Sequence, residues 1–315
     1  MNIEELFAIC QQNGRRPLMI SCGNSAAVAV MGMEGRIYYA HDGQLVSLFR
    51  RAAAENISNK RNGYFNPGGD GLWPAPEGTT LGYQYTTGDW RVSTALTSAQ
   101  YETVSQTSDS FEIAAEIDLI NDQQLGIPCI FRRRSQIALE PDGTTTVEQF
   151  DSIEYIGTRE LKRGEFLLAP WSLAQFAVDD SAVARFGSVP MPIRDLYQPS
   201  SHLLTGKGDT IEMRHDTVDR IQLALPEAAG FVELVLPRSA LKITRTSAPL
   251  PDGHSPADIA DAPGNVPPGA GVRYSIYNDP SGFMELEAAG GCPDKLTPGT
   301  VMELRITNKF TTLPA

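Results

Sequence analysis

The sequence predicts an all-β protein, a large antiparallel sandwich introduced by one short helix. Segments of alternating apolar and polar residues recur along the chain. The clearest is "SFEIAAEIDLI" (110–120), where Phe111, Ile113, Ala115, Ile117 and Leu119 fall on one face and Glu112, Glu116 and Asp118 on the other. "FVELVLP" (231–237), "RYSIYND" (273–279) and "VMELRITN" (301–308) repeat the pattern, with turn signals such as "PDG" (141–143) and "KRG" (162–164) between strands. Helical periodicity is scarce after residue 14; the best case, "LVSLFRRAAAENI" from Leu45, also reads as opening on a strand. Strands in long succession pack as sheet on sheet rather than as βαβ units.

The chain starts with a helix over residues 1–14, in which Ile3, Leu6, Phe7 and Cys10 keep helical spacing and Gly14 supplies the stop. "FNPGGDGLWPAPEGTTLGYQY" (65–85) reads as a shaped loop rather than an unbroken central strand. Pro67, Pro74 and Pro76 lack donors, and Gly68, Gly69 and Gly71 invite positive φ. It carries one large aromatic, Trp73, and two carboxylates, Asp70 and Glu77, so it is either a packed turn or the rim of a binding site. Residues 248–271 hold six prolines and no periodicity, which predicts a loop inserted into a single domain spanning residues 1–315.

The 315 residues carry a formal net charge of −12, which argues against nucleic acid and anionic membrane surfaces as partners. The one basic run, Arg132-Arg133-Arg134, falls in a strand pattern and reads as a solvated face or an ion-pair site. No stretch approaches the ~20 apolar residues that span a bilayer. Glu4 and Glu5 stand where a secretory signal would be basic, so a cytoplasmic protein is expected; a chain trimmed of its leader would read the same. Four well-separated cysteines, Cys10, Cys22, Cys129 and Cys292, predict reduced thiols. His41, His202, His215 and His254 never pair at metal-ligand spacing, and no phosphate-binding, dinucleotide-binding, nucleophile-elbow or zincin motif is present; neither metal nor cofactor is expected.

Candidate chemistry lies in "SGFMELEAAGG" (281–291). Glu285 and Glu287, two apart, share a strand face with Phe283, while Met284 and Leu286 take the other. Such a pair is either a solvated face or the wall of a cleft, where like charges at close range raise one pKa and make a base near neutrality. The three tryptophans each sit beside polar groups: Trp73 by Asp70 and Glu77, Trp90 by Asp89 and Arg91, Trp171 by Ser172 and Gln175. Core packing accounts for any one of them; together, aromatic faces beside carboxylates and amides suit a carbohydrate.

"NPGGDGLWPAPEG" (66–78), "APWSLAQF" (169–176) and "GFMELEAAGGCPDKLTPGT" (282–300), in that order, resemble the galactose mutarotase-like superfamily, and most closely its branches with a GGDxxW-x-x-PE loop and a late F-x-E-L-E strand followed by L-x-PG. "AAVAVMGMEGRIYYA" (26–40) is similar to the family's opening strands with their GR turn. The resemblance implies a β-supersandwich that binds sugar on a concave face. It also implies a late-strand glutamate base, Glu287 or Glu285, with Glu287 preferred and Glu285 as its modulating neighbour. Asp70, Trp73, Glu77, Trp90, Arg91, Trp171 and Gln175 would line the pocket. Two departures stand out: Gly71 occupies a position where relatives carry arginine, leaving Arg91 or Arg61 to substitute, and Trp171 and Gln175 stand where a histidine is expected. Three functions follow: an aldose 1-epimerase-like isomerase, a non-catalytic sugar-binding module, or a glycoside hydrolase or lyase pairing Asp70 or Glu77 with Glu287.

Overall fold

The computed structural model describes residues 1–59, 61–78, 81–83, 90–259 and 271–314. Residues 260–270, the heart of the proline-rich stretch, and Asp89 lie outside them. Among the described residues two ten-stranded sheets dominate, and their strand pairs are antiparallel. The first sheet orders its strands Pro17–Cys22, Ser25–Val30, Arg36–His41, Asp70–Ala75, Ala169–Ala177, Phe283–Ala289, Tyr274–Asp279, Ile221–Leu225 and Arg194–Asp195, with Gln44–Leu45 paired to Arg36–His41. The second is built around the long strands Ser110–Ile120, Gly126–Leu139, Thr145–Tyr155 and Val301–Thr312.

The two sheets differ in their burial, and that difference positions the site. Ser110–Ile120 and Val301–Thr312 alternate buried and open residues, as a sheet with one wet face must. By contrast Arg36–His41, Asp70–Ala75 and Phe283–Ala289 are buried at every position. One face of the first sheet packs on the second sheet, where Tyr39 meets Phe310 at 5.3 Å between ring centroids. Its other face is covered partly by the N-terminal helix and partly by the walls of a cavity.

The helix forms at Ile3–Gln12 because Asn2 and Glu5 make a reciprocal capping box, and it buries Ile3, Leu6 and Cys10. The segment from Leu45 is helical only over Arg51–Glu55. The proline-rich stretch is not structureless throughout, since His254–Pro256 pairs with Gly291–Pro293.

The Gly/Pro-rich stretch departs most from expectation: Asp70–Ala75 is a central strand, lying between Arg36–His41 and Ala169–Ala177. Pro74 is tolerated because it faces Pro170, and both carbonyls point away from that pair: Pro170 accepts from Gly290 N and Pro74 from Tyr83 Oη. Neither proline is thus asked for the N–H it lacks. Gly68 and Gly69 take the expected positive φ, +76° and +66°, whereas Gly71 is extended and serves a close contact instead.

Candidate functional site

Period-two alternation splits the Asp70–Ala75 strand between two environments. Asp70 and Leu72 point between the sheets, and Trp73 points to the cavity side. Asp70 therefore stands outside the cavity. Fully buried, its carboxylate accepts from Arg133 Nη2 at 2.9 Å, Ser172 Oγ at 2.6 Å, Arg245 Nη1 at 2.7 Å and Tyr39 Oη at 3.0 Å. Arg133 in turn is held by both oxygens of Asp151, each at 2.9 Å, so two arginines and two aspartates form a neutral buried network. Burial alone would raise the Asp70 pKa, but the Arg245 and Arg133 guanidiniums outweigh it and hold the carboxyl well below its ordinary value. Of the basic run, Arg133 thus makes the buried ion pairs. Arg132 and Arg134 lie on the strand's opposite face, Arg132 near Glu112 and Glu154 and Arg134 over Phe150.

The other face of the first sheet floors a cavity of about 660 Å³, a volume suited to a small ligand. Trp73, Glu77, Trp90, Trp171, Gln175, Glu285 and Glu287 all line it; Arg91 does not. The aromatic wall is continuous: Trp73 meets Trp171 edge-on at 6.0 Å, and Tyr64 meets Trp73 at 6.4 Å and Trp90 at 6.2 Å. Trp90 Nε1 donates to Glu77.

The carboxyl pair sits on the floor. Glu287 is fully buried; Trp171 Nε1 donates to its Oε2 at 2.9 Å, and Gln222 Nε2 to Oε1 and Oε2 at 3.0 and 3.2 Å. Burial pushes its pKa up, the hydrogen bonds from Trp171 and Gln222 pull it back, and the result is about 7. Glu285 has weaker support, one hydrogen bond from Gln175 Nε2 at 2.9 Å. Burial, then the charge of Glu287, push Glu285 well above the ordinary carboxyl range. Of the two, Glu285 is the one whose surroundings favour the protonated form more strongly.

This arrangement costs stability in a pH-dependent way. A carboxyl raised from 4.5 to about 7 contributes stability that is present below pH 4.5 and lost as pH climbs through 7. Glu287→Gln is accordingly expected to gain on the parent as pH rises, by roughly 3 kcal/mol between pH 4.5 and 8. Urea denaturation of both proteins across that range measures the gap.

Several lining residues carry no motif in the sequence, among them Gln222, Tyr277 and Arg220. Arg220 Nε donates to Tyr277 Oη at 2.8 Å and stacks on Tyr197, with its Cζ 4.2 Å from the ring centroid. Arg36 is the most consequential omission. Its guanidinium lies across Gly71 and over Trp73, 5.3 Å from the ring centroid, and Nη2 donates to Glu34 at 3.1 Å and Tyr64 at 3.0 Å. A guanidinium thus does stand over Gly71, from Arg36 on the neighbouring strand, while Arg91 does not line the cavity and Arg61 is exposed. The GR turn at Gly35-Arg36 was its only trace. A methyl at Gly71 would stand 2.5 Å from Arg36 Nη1. Gly71→Ala is thus expected to displace the guanidinium and lower stability by about 1–3 kcal/mol in urea denaturation. Gly126→Ala, where an added methyl meets nothing within 4 Å, is the control.

None of the four histidines, all described, lines the cavity. His41 bonds to Thr145 and Thr312, His202 to Asp216, and His215 to Asn278; His254 lies beside the Asp252 carbonyl. The carboxyls that line the cavity are Glu77, Asp279, Glu285 and Glu287.

No family model matches the chain, and no curated protein matches it in sequence. Solved structures do. A galactose mutarotase-like protein from Lactobacillus casei superposes with a TM-score of 0.56 at 12% identity, over 94% of this chain and 100% of that one. The Slr1438 protein from Synechocystis sp. PCC 6803 gives 0.56 at 13% identity, over 94% and 96%. A galactose mutarotase related enzyme from Lactobacillus acidophilus gives 0.54 at 11%, over 95% and 98%. The chain has the galactose mutarotase-like fold, mostly β with large antiparallel sheets and a short N-terminal helix. Among the described residues no helix is long and apolar enough to cross a membrane.

Proposed function

We propose that the cavity binds a small sugar and that the protein interconverts its anomers, with Glu287 as base and Glu285 as acid. The observation that carries this reading is the carboxyl pair itself: two buried glutamates on the floor of an aromatic-lined cavity, one with a pKa of about 7 and the other held well above the ordinary range. The likeness in fold to mutarotase-related proteins supports it.

The chemistry needs no third group. Ionised Glu287 takes the proton of the anomeric hydroxyl while protonated Glu285 gives its proton to the ring oxygen. The bond from the anomeric carbon to the ring oxygen breaks, and the open-chain aldehyde turns about its first carbon–carbon bond. Reversal of both transfers closes the ring on the other face and restores both carboxyls. A proton donor and an acceptor matched to neutral pH are what such a step requires. The aromatic wall would hold the sugar's C–H face, and Gln175 and Gln222 its hydroxyls.

Trp171 and Gln222 serve this reading by tuning. Their N–H groups stabilise the ionised form of Glu287, so that it is available as a base despite burial. Exchange NMR on a panel of free sugars tests the proposal, because it reads α-to-β interconversion above the uncatalysed rate. Saturable binding without exchange would instead mark a binding module, and release of products from oligosaccharides a hydrolase or lyase.

A further inference from the structure

Two arginines in the cavity wall, Arg36 and Arg50, carry guanidinium nitrogens without an acceptor among the described residues. Arg50 is half-buried; its Nη2 donates to Ser281 Oγ at 3.3 Å, its Cζ lies 5.4 Å from the Phe283 ring centroid, and its buried Nε has no hydrogen-bond partner among the described residues. No ion pair among the described residues involves it. Arg36 is 1% exposed and paired with Glu34, yet its Nε and Nη1 have no partner among the described residues. Both side chains line the cavity.

The hydrogen bonds that the cavity's carboxyls accept come from other groups. Glu77 accepts from Trp90, Asp279 from Tyr277 at 2.8 Å and from Ser281 N at 2.9 Å, and Glu287 from Trp171 and Gln222. Glu285 accepts from Gln175 at 2.9 Å, and burial and the charge of Glu287 push its pKa up against the pull of Arg36. Buried guanidinium nitrogens without acceptors are costly, and the acceptor that answers several on two side chains is an anionic group with more than one oxygen.

Resting on the reading of the cavity as a sugar site, we propose that its ligand is a sugar bearing an anionic group, a carboxylate or a phosphate, received by Arg36 and Arg50. This sets the substrate class apart from the neutral hexoses. It also assigns the two arginines to specificity, while Glu285 and Glu287 act at the anomeric centre.

Titration calorimetry with matched sugars tests it: glucose against glucuronate and glucose 6-phosphate, and galactose against galacturonate and galactose 6-phosphate. At least one acidic sugar is expected to bind roughly tenfold or more tightly than its neutral parent. That preference should shrink with added salt and collapse in both Arg36→Met and Arg50→Met. Whether the uronate or the phosphate is preferred identifies the group. Neutral sugars binding as tightly as their acidic partners would overturn the inference and leave the sugar site standing. Absence of binding across the whole panel would overturn both. A preference that survives intact in the variants would overturn the assignment to these arginines. Should Arg36→Met fail to fold, Arg50→Met, at a half-buried position, and the salt dependence of the parent decide the matter.

Discussion

Asp70→Ala is expected to lose about 3–5 kcal/mol of stability although the residue never touches the cavity. Among the described residues its carboxylate is the only one paired with both Arg133 and Arg245, both fully buried, and its removal leaves Arg245 with no carboxylate among them and Arg133 with Asp151 alone. An uncompensated guanidinium between two sheets is far more costly than a lost surface pair. The contrast is Arg16→Ala, which breaks an exposed ion pair with Glu102 at 2.7 Å and is expected to cost no more than about 1 kcal/mol. Against a typical total of 5–15 kcal/mol, the first change endangers the fold and the second does not. Urea unfolding midpoints of the two variants check this directly.

The second large effect concerns chemistry. Glu287→Gln is expected to lower anomer exchange by about 10²–10⁴-fold while sugar binding persists, because the amide keeps the shape but cannot take a proton. The sign of the parent's pH dependence follows from the two carboxyls. Exchange rises with pH as Glu287 ionises through about 7, and falls only at higher pH as Glu285, held well above the ordinary range, loses its proton. Glu285→Gln removes the proton donor, so it should likewise lower exchange by about 10²–10⁴-fold, and any residual rate should lack the descending limb. The stability gained by Glu287→Gln above neutrality is the counterpart of its lost activity, since the raised carboxyl is a strain that the fold carries.

How far the sequence discloses this site depends on whether a residue's strand is recognised as one. Glu285 and Glu287 lie in an alternating segment, so their shared face with Phe283 follows from parity alone, and the structure puts all three on the cavity wall. The same parity separates Asp70 from Trp73, three residues apart and hence on opposite faces. It was hidden because three prolines and three glycines make that stretch look like a loop. Pro74 is accommodated only because Pro170, about a hundred residues away, stands opposite it, and a local reading has no access to that pairing. Arg36 was missed for a related reason. Its place over Gly71 depends on two strands becoming neighbours, and the only local trace is the GR turn before it. Gln222 lies in Ile221–Leu225 at the far side of the same sheet, where mostly buried positions suppress the alternation that would reveal its face; Arg220 just precedes that strand, and Tyr277, though in an alternating segment, carries no motif.

The site thus reads as two separate devices on one sheet. Between the sheets a neutral network of Asp70, Arg133, Asp151 and Arg245 fixes the position of the Asp70–Ala75 strand; on the outer face the same strand presents Trp73 beside Arg36 to the cavity. Placing the charged network away from the cavity leaves Glu285 and Glu287 in surroundings that raise their pKa values.

The central claim is that Glu287 acts as a base on a sugar in this cavity, and the pH profile of anomer exchange for the unmodified protein tests it most directly. The account predicts catalysed exchange for at least one sugar, rising about tenfold per pH unit below 7, levelling near that value, and absent in Glu287→Gln. Exchange no faster than the uncatalysed rate for every sugar and pH, or a profile left unchanged by Glu287→Gln, would contradict it.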